Sequence, residues 1–288
     1  MKRHAVRRTL LLAVLLPAVL LLAGCATVPM TGRRQLSLVS GSEVNALAAT
    51  EYGKFLKENP PVRGTPDAAM VERVGGRIQA AVEKYMKKND YAGLLEGYDW
   101  QFHLVNDRQV NAWCMPGGRV VVYSGLLPIT EDETGLAVVM GHEVAHAIAQ
   151  HGAERMSQQL ATQLGGVALG VALSSKSAET QALAMAAFGA GSAVGILLPF
   201  SRAQESEADK MGLHFMAMAG YDPRASIGLW QRMAAAAKDA GKPPVFLSTH
   251  PSDEQRIERL NKDMPEALKR YAKATGQPAK PKKKQQSK

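Results

Sequence analysis

The chain has 288 residues but only two cysteines, Cys25 and Cys114. A disulfide framework is therefore not what holds it together. Its body also lacks a surplus of either charge. The formal net charge is +9, but Lys2, Arg3, Arg7 and Arg8 lie at one end and Lys280, Lys282, Lys283, Lys284 and Lys288 at the other. Setting those nine aside leaves a body near neutrality, so no basic face argues for nucleic-acid binding. No internal repeat is present, so solenoids and propellers are excluded.

What is there begins with the first 25 residues. A basic start is followed by an apolar run, Thr9 to Leu22, and then by L-A-G-C, Leu22 to Cys25. That pattern reads as an export signal. The A-x-A cleavage site is missing, and L-A-G-C resembles a bacterial lipobox, with cleavage before Cys25 and acylation of its thiol. An uncleaved N-terminal anchor is the other reading. Residues 1–24 are thus expected to be a signal peptide and 25–40 a lipid-anchored tether. Ala26, where an Asp would signal inner-membrane retention, points to the periplasmic face of the outer membrane. Two or more acyl chains make such an anchor stable. Cys114 is then alone and reads as a small apolar strand residue. Residues 276–288 form a Pro/Lys-rich tail, expected to be disordered, with attraction to anionic headgroups as the sharper alternative.

Between the ends, residues 41–275 read as one domain. Helices are expected over Gly41–Lys57, Asp67–Met86, Arg202–Ala219 and Pro223–Ala240, from apolar residues at helical spacing and from Gly/Pro stops. Pro251–Leu260 and Pro265–Ala274 read as two last helices. Alternation at Trp100, Phe102 and Leu104 predicts a strand, as do Ala112–Met115 and Arg119–Tyr123. The economical reading is a small antiparallel sheet. Thr130 to Glu133 has capping-box form and opens a helix expected to run to Met156. Leu160–Leu173 and Ala182–Phe200 are apolar but rich in Ala and Gly. A membrane hairpin needs about 20 residues per arm, so a helical hairpin outside the membrane is the preferred reading.

The chemistry sits at His142-Glu143-Val144-Ala145-His146, an H-E-x-x-H. Residues four apart on a helix share a face, so two imidazoles can grip one zinc while Glu143 addresses the water. A metzincin extension is excluded, because Ala149 and Gly152 stand where it requires Gly and His. His151 falls about 140° round an unbroken helix from His146 and reads as structural or surface. The gluzincin solution takes a third ligand from a second helix. Glu205 and Asp209 share a face there: Glu205 can ligate, and Asp209 can take the N–H of a ligating histidine. Glu207 is the runner-up ligand.

Five stretches together carry a resemblance: T-G-R-R-Q-L-S, N-A-W-C-M-P-G-G-R-V-V-V-Y-S-G-L-L, G-H-E-V-A-H, S-R-A-Q-E-S-E-A-D and S-T-H-P-S-D-E-Q-R. Over about Thr31 to Leu260 the chain resembles the zinc metallopeptidase family of the CAAX prenyl protease, HtpX and BepA, above all its short periplasmic lipoproteins. The resemblance implies a mainly helical α+β, gluzincin-type fold, with a small antiparallel sheet beside the H-E-x-x-H helix. It implies one Zn2+ held by His142, His146 and Glu205, with Glu143 as general base and Asp209 behind the ligands. It places His250 over the metal, either supporting the oxyanion or closing the open position. It makes Asn111, Ala112, Trp113, Cys114 and Met115 the edge strand that pairs with substrate. The substrates implied are misfolded or stalled envelope proteins, with the outer-membrane assembly machinery as a candidate partner and no nucleic acid. An assembly factor with gated or low protease activity is the alternative.

Overall fold

A computed structural model describes residues 25–193, 197–239, 244–250 and 255–277. Residues 1–24, expected as a signal peptide, and the expected tail beyond residue 277 lie outside these.

Two strands, β1 (Cys25–Thr27) and β2 (Arg34–Leu36), form an antiparallel hairpin with Cys25 opposite Leu36. The segment expected as a tether is thus built into the fold. Val28 is fully buried, β2 packs on the helix that begins at His151, and the amides of Leu38 and Val39 donate to Ser157 Oγ. Helix α1 (Gly41–Glu58) opens on a Ser40–Glu43 capping box. Helix α2 (Pro66–Lys88) has Thr65 as its N-cap, Pro66 in its first turn and Lys87 and Lys88 in its last. Its buried stripe is Val71, Val74, Ile78 and Val82.

The sheet comprises β3 (Gln101–Val105), β4 (Ala112–Met115) and β5 (Arg119–Tyr123), in the order β3-β5-β4. The β4–β5 pair is antiparallel, as expected. The β3–β5 pair is parallel, so the sheet is mixed rather than wholly antiparallel. Alternation in a strand does not encode its direction. The sign of β5's place was its unbroken V-V-V-Y run, buried on both faces as a central strand must be.

After the short α3 (Leu127–Thr130), α4 runs over Glu133–Ile148. Its cap is Asp132, whose carboxylate accepts from Gly135 N at 2.8 Å. Thr130 does not cap it, and donates instead to Leu127 O. The helix also stops short of Met156. Gln150 turns left-handed, at φ 55°, and a new helix, α5, spans His151–Ala172. It forms a hairpin with α6 (Ala178–Ser192), and no helix among the described residues is long and apolar enough to cross a membrane. Then follow α7 (Leu198–Met218), α8 (Ala225–Asp239), the short α9 (Val245–Thr249) and α10 (Arg256–Thr275). The two last helices expected from the prolines are one. Pro265 removes a single backbone bond, and the buried stripe Leu260, Met264 and Ala267 keeps the halves in line.

Helix α4 is the centre of the molecule. Every residue from Gly135 to Ile148 is buried, with α7, α2, β4 and α8 packed around it.

Candidate metal centre

Helices α4 and α7 cross where neither has a side chain. A Cβ on Gly141 would stand 2.9 Å from Gly212 O, and one on Gly212 would stand 2.7 Å from His142 N. This contact brings the His142/His146 face of α4 onto the Glu205/Asp209 face of α7. The third element is α9. Its Phe246 amide donates to Val110 O, Phe246 stacks on His250, and His250 closes its C-terminus over the crossing.

Four ligand atoms then meet. His142 Nε2 lies 3.1 Å from His146 Nε2 and 3.3 Å from His250 Nδ1. The carboxylate of Glu205 lies 3.4 Å from His142 Nε2, 3.3 Å from His146 Nε2 and 3.1 Å from His250 Nδ1. All four residues are buried. Bonds of about 2.0–2.1 Å to a tetrahedral ion put its ligand atoms about 3.3–3.4 Å apart. The donor set and its spacing therefore fit a small divalent cation such as zinc. Charge agrees with spacing. Burial opposes a charge on His142, but Asp209 and Glu205 outweigh it and push its pKa up to about 9. Burial and the neighbouring imidazoles hold His146 well below its usual value. Burial would raise Glu205, yet the three histidines hold it below the carboxylate range. The carboxylates call for positive charge here, and a buried imidazolium is a costly way to supply it.

Behind the ligands, His142 Nδ1 lies 3.0 Å from Asp209 Oδ1. Arg256, which sequence reasoning missed, completes this side. Its Nε donates to Asp209 at 2.6 Å, its Nη2 to Glu205 at 3.2 Å, and its guanidinium lies 3.8 Å over Trp230. It is the last letter of the S-D-E-Q-R stretch; nothing local distinguished it from a solvated helix start.

His151 takes the structural of its two readings, by a contact that an unbroken helix would not give. The break at Gln150 turns it back, so that it is buried with its Nδ1 2.7 Å from His146 Nδ1. Glu207, the runner-up ligand, lies outside the cluster and contacts His151 Nε2 at 3.0 Å.

Glu143 is buried, and its Oε1 lies 3.4 Å from His250 Nε2. Burial raises its pKa against the pull of His250 and His142. Beside it opens a cleft of about 190 Å³ lined by Cys114, Pro116, Glu143, His146, Arg155 and His250 among others. Of the five residues expected to meet substrate, only Cys114 lines this cleft. Ala112 is buried in the main core, and Trp113 and Met115 turn towards Tyr52 and Phe55 of α1. Asn111 O accepts from Tyr123 N, on the β5 side. Among the described residues β4 pairs with β5 alone, so its other edge has no strand partner. Burial pushes the Cys114 thiol well up, which suits an inert residue. Cys25 is exposed on β1 and takes no part in the cluster.

Residues 72–264 match peptidase family M48. The chain is 36% identical over 245 residues to the mitochondrial metalloendopeptidase OMA1 of Schizosaccharomyces pombe, covering 83% of this chain and 66% of that one. It is 34% identical over 248 residues to the metalloendopeptidase OMA1 of Bos taurus, covering 84% and 46%. It is 34% identical over 161 residues to the beta-barrel assembly-enhancing protease of Yersinia pestis, covering 55% and 33%. The matched region spans from a third to two thirds of the length of these relatives.

Proposed function

Because the chain belongs to peptidase family M48, we propose that it is a zinc-dependent endopeptidase. The single observation that carries this reading is that ligand atoms of His142, His146, Glu205 and His250 lie within 4.8 Å of one another, beside the buried Glu143. When bound, zinc supplies Lewis acidity and acidifies water. The rest falls to the chain's own residues. Glu143 takes the proton of the attacking water and returns it to the leaving amine. The free edge of β4 holds an extended peptide by backbone hydrogen bonds, which suits unfolded segments of many sequences. His250 would hold the fourth position on a bound ion and would have to leave it for substrate to enter. Of its two suggested roles, the geometry favours the gate.

The setting we propose is the periplasm, with the protein held to the outer membrane by lipid on Cys25. The basic and apolar residues before L-A-G-C support this. The substrates proposed are misfolded or stalled envelope proteins. The Yersinia pestis relative's name supports a link to β-barrel assembly. A gated assembly factor is the second reading, favoured by His250 closing over the cluster. The Glu143→Gln variant tests the first. It should keep about one zinc per chain and lose cleavage of unfolded protein about 10²–10⁴-fold. If the variant fully replaces the wild type in cells, proteolysis is not the main task. A wild-type chain that binds no metal ends the enzymatic reading.

A further inference from the structure

Glu207 lies two residues beyond the ligand Glu205 but turns away from the cluster, towards the N-terminal hairpin. Its carboxylate accepts from Arg33 Nε at 2.8 Å and from the Thr31 hydroxyl. Arg33 also grips Glu154 with two further nitrogens, at 2.7 and 2.8 Å, and Glu154 accepts from Gln204 Nε2 at 2.7 Å. Glu154, Glu207 and His151 are buried. A two-stranded hairpin thus reaches, through two intervening residues, Glu207 and His151, the back of a ligating histidine.

The donors and acceptors along this line allow one orderly arrangement. An ionised carboxylate only accepts, so His151 Nε2, 3.0 Å from Glu207, must carry a hydrogen. The neutral ring then presents a bare Nδ1. That nitrogen lies 2.7 Å from His146 Nδ1, a separation with room for one hydrogen. The hydrogen must therefore sit on His146 Nδ1, which leaves the lone pair of His146 Nε2 facing the cluster. The reverse order puts a bare His151 nitrogen against a carboxylate and a hydrogen on the ligating nitrogen. Glu207 selects between the two orders, and it can do so only while its carboxylate is aimed at His151. Arg33 and Thr31 are what hold it so.

We infer that Arg33 and Thr31 are positioning residues of the metal centre, acting through Glu207 and His151 to fix the ring hydrogen of His146. The inference rests on the reading of the cluster as a metal site. It also gives the two imidazoles of α4 matching supports. His142 is backed by Asp209 and Arg256, and His146 by His151, Glu207 and Arg33.

The test uses the full chain, zinc-loaded and metal-stripped, with Arg33→Gln, Arg33→Lys and Arg34→Gln. Arg34 is the exposed neighbour on β2 and controls for lost charge. Arg33→Gln should weaken zinc binding about 10-fold in chelator competition, the low end for outer partners of a metal ligand. It should shrink the rise in Tm that zinc produces, because that rise follows affinity. In the stripped protein, the imidazole ¹⁵N shifts of His146 should move away from the Nδ1–H pattern of the wild type. Arg33→Lys should restore part of each effect, and Arg34→Gln should change none. If Arg33→Gln does not fold, Thr31→Val carries the same comparison, with about threefold weaker zinc binding from one lost hydrogen bond. Zinc affinity unchanged within about twofold, well short of the loss expected of such partners, overturns the inference. So does a fall in Tm that is equal with and without zinc. Failure of the underlying reading looks different: the wild type itself binds no zinc, while the His146 ¹⁵N pattern still decides whether Arg33 sets the tautomer.

Discussion

Gly141 and Gly212 meet back to back where α4 crosses α7, with no space between them for a methyl group. The neighbours of these glycines, His142 and Met211, sit in the same tight seam, and Glu205 and Asp209 lie along it. Gly212→Ala should therefore separate the two ligand-bearing helices. We expect a loss of about 1–3 kcal/mol in stability from overpacking, together with weaker zinc binding. Denaturant unfolding and chelator competition on the same samples check both effects.

Arg256 is a buried cation facing two carboxylates. Replacing it with Leu leaves Glu205 and Asp209 short of positive charge. The metal-stripped protein should lose about 3–5 kcal/mol, the usual cost of breaking a buried pair from one side. With zinc bound the loss should be smaller, because the ion replaces part of the missing charge. Urea unfolding with and without zinc measures the difference.

Gln150 holds the left-handed turn that aims His151. Gln150→Gly should be tolerated, since glycine enters that conformation freely. Gln150→Ile should cost about 1–3 kcal/mol, because a β-branched residue is strained there. The ¹⁵N signals of His151 should broaden or shift in the isoleucine variant and not in the glycine variant.

His214, on α7, is buried, and its pKa is lowered to about 4 by that burial and by Arg270 and Lys210. Unfolded, it titrates near 6.5. Between these values the unfolded chain binds the extra proton, so stability falls as pH drops from about 6.5 to about 4 and this effect is flat below. The full effect is up to about 3 kcal/mol, at 1.36 kcal/mol per unit. His214→Gln should flatten that part of the stability–pH curve. An unchanged slope between pH 7 and 4 would show that another group is responsible.

How much of this was legible beforehand follows from the range of each signal. His142, His146, Glu205 and Asp209 were readable because each pair is four residues apart on one helix, and helical spacing survives folding. Strands β4 and β5 were readable to the residue, because the Pro116–Gly118 turn marks the end of one and the start of the other. The contact of His151 with His146 was not legible, because it depends on a break in the helix. The break falls on Gln150, a residue type that gives no warning of positive φ. Arg256 was invisible for a different cause: its partners lie some fifty residues away, and no local pattern marks an arginine that will be buried. The parallel pairing of β3 with β5 depends on the path of the chain, which alternation does not record.

The supports of the metal centre also have an order in time. Arg33 belongs to the first described hairpin and Arg256 to the last described helix, so a chain made from its N-terminus acquires Arg33 long before Arg256. Until α10 docks on α7, Asp209 and Glu205 lack their guanidinium, and the His142 side of the centre is unsupported. The docking of α10 thus adds the last of these supports to the metal centre. A half-synthesised chain, or one clipped before α10, has the H-E-x-x-H helix without the clasp that steadies it.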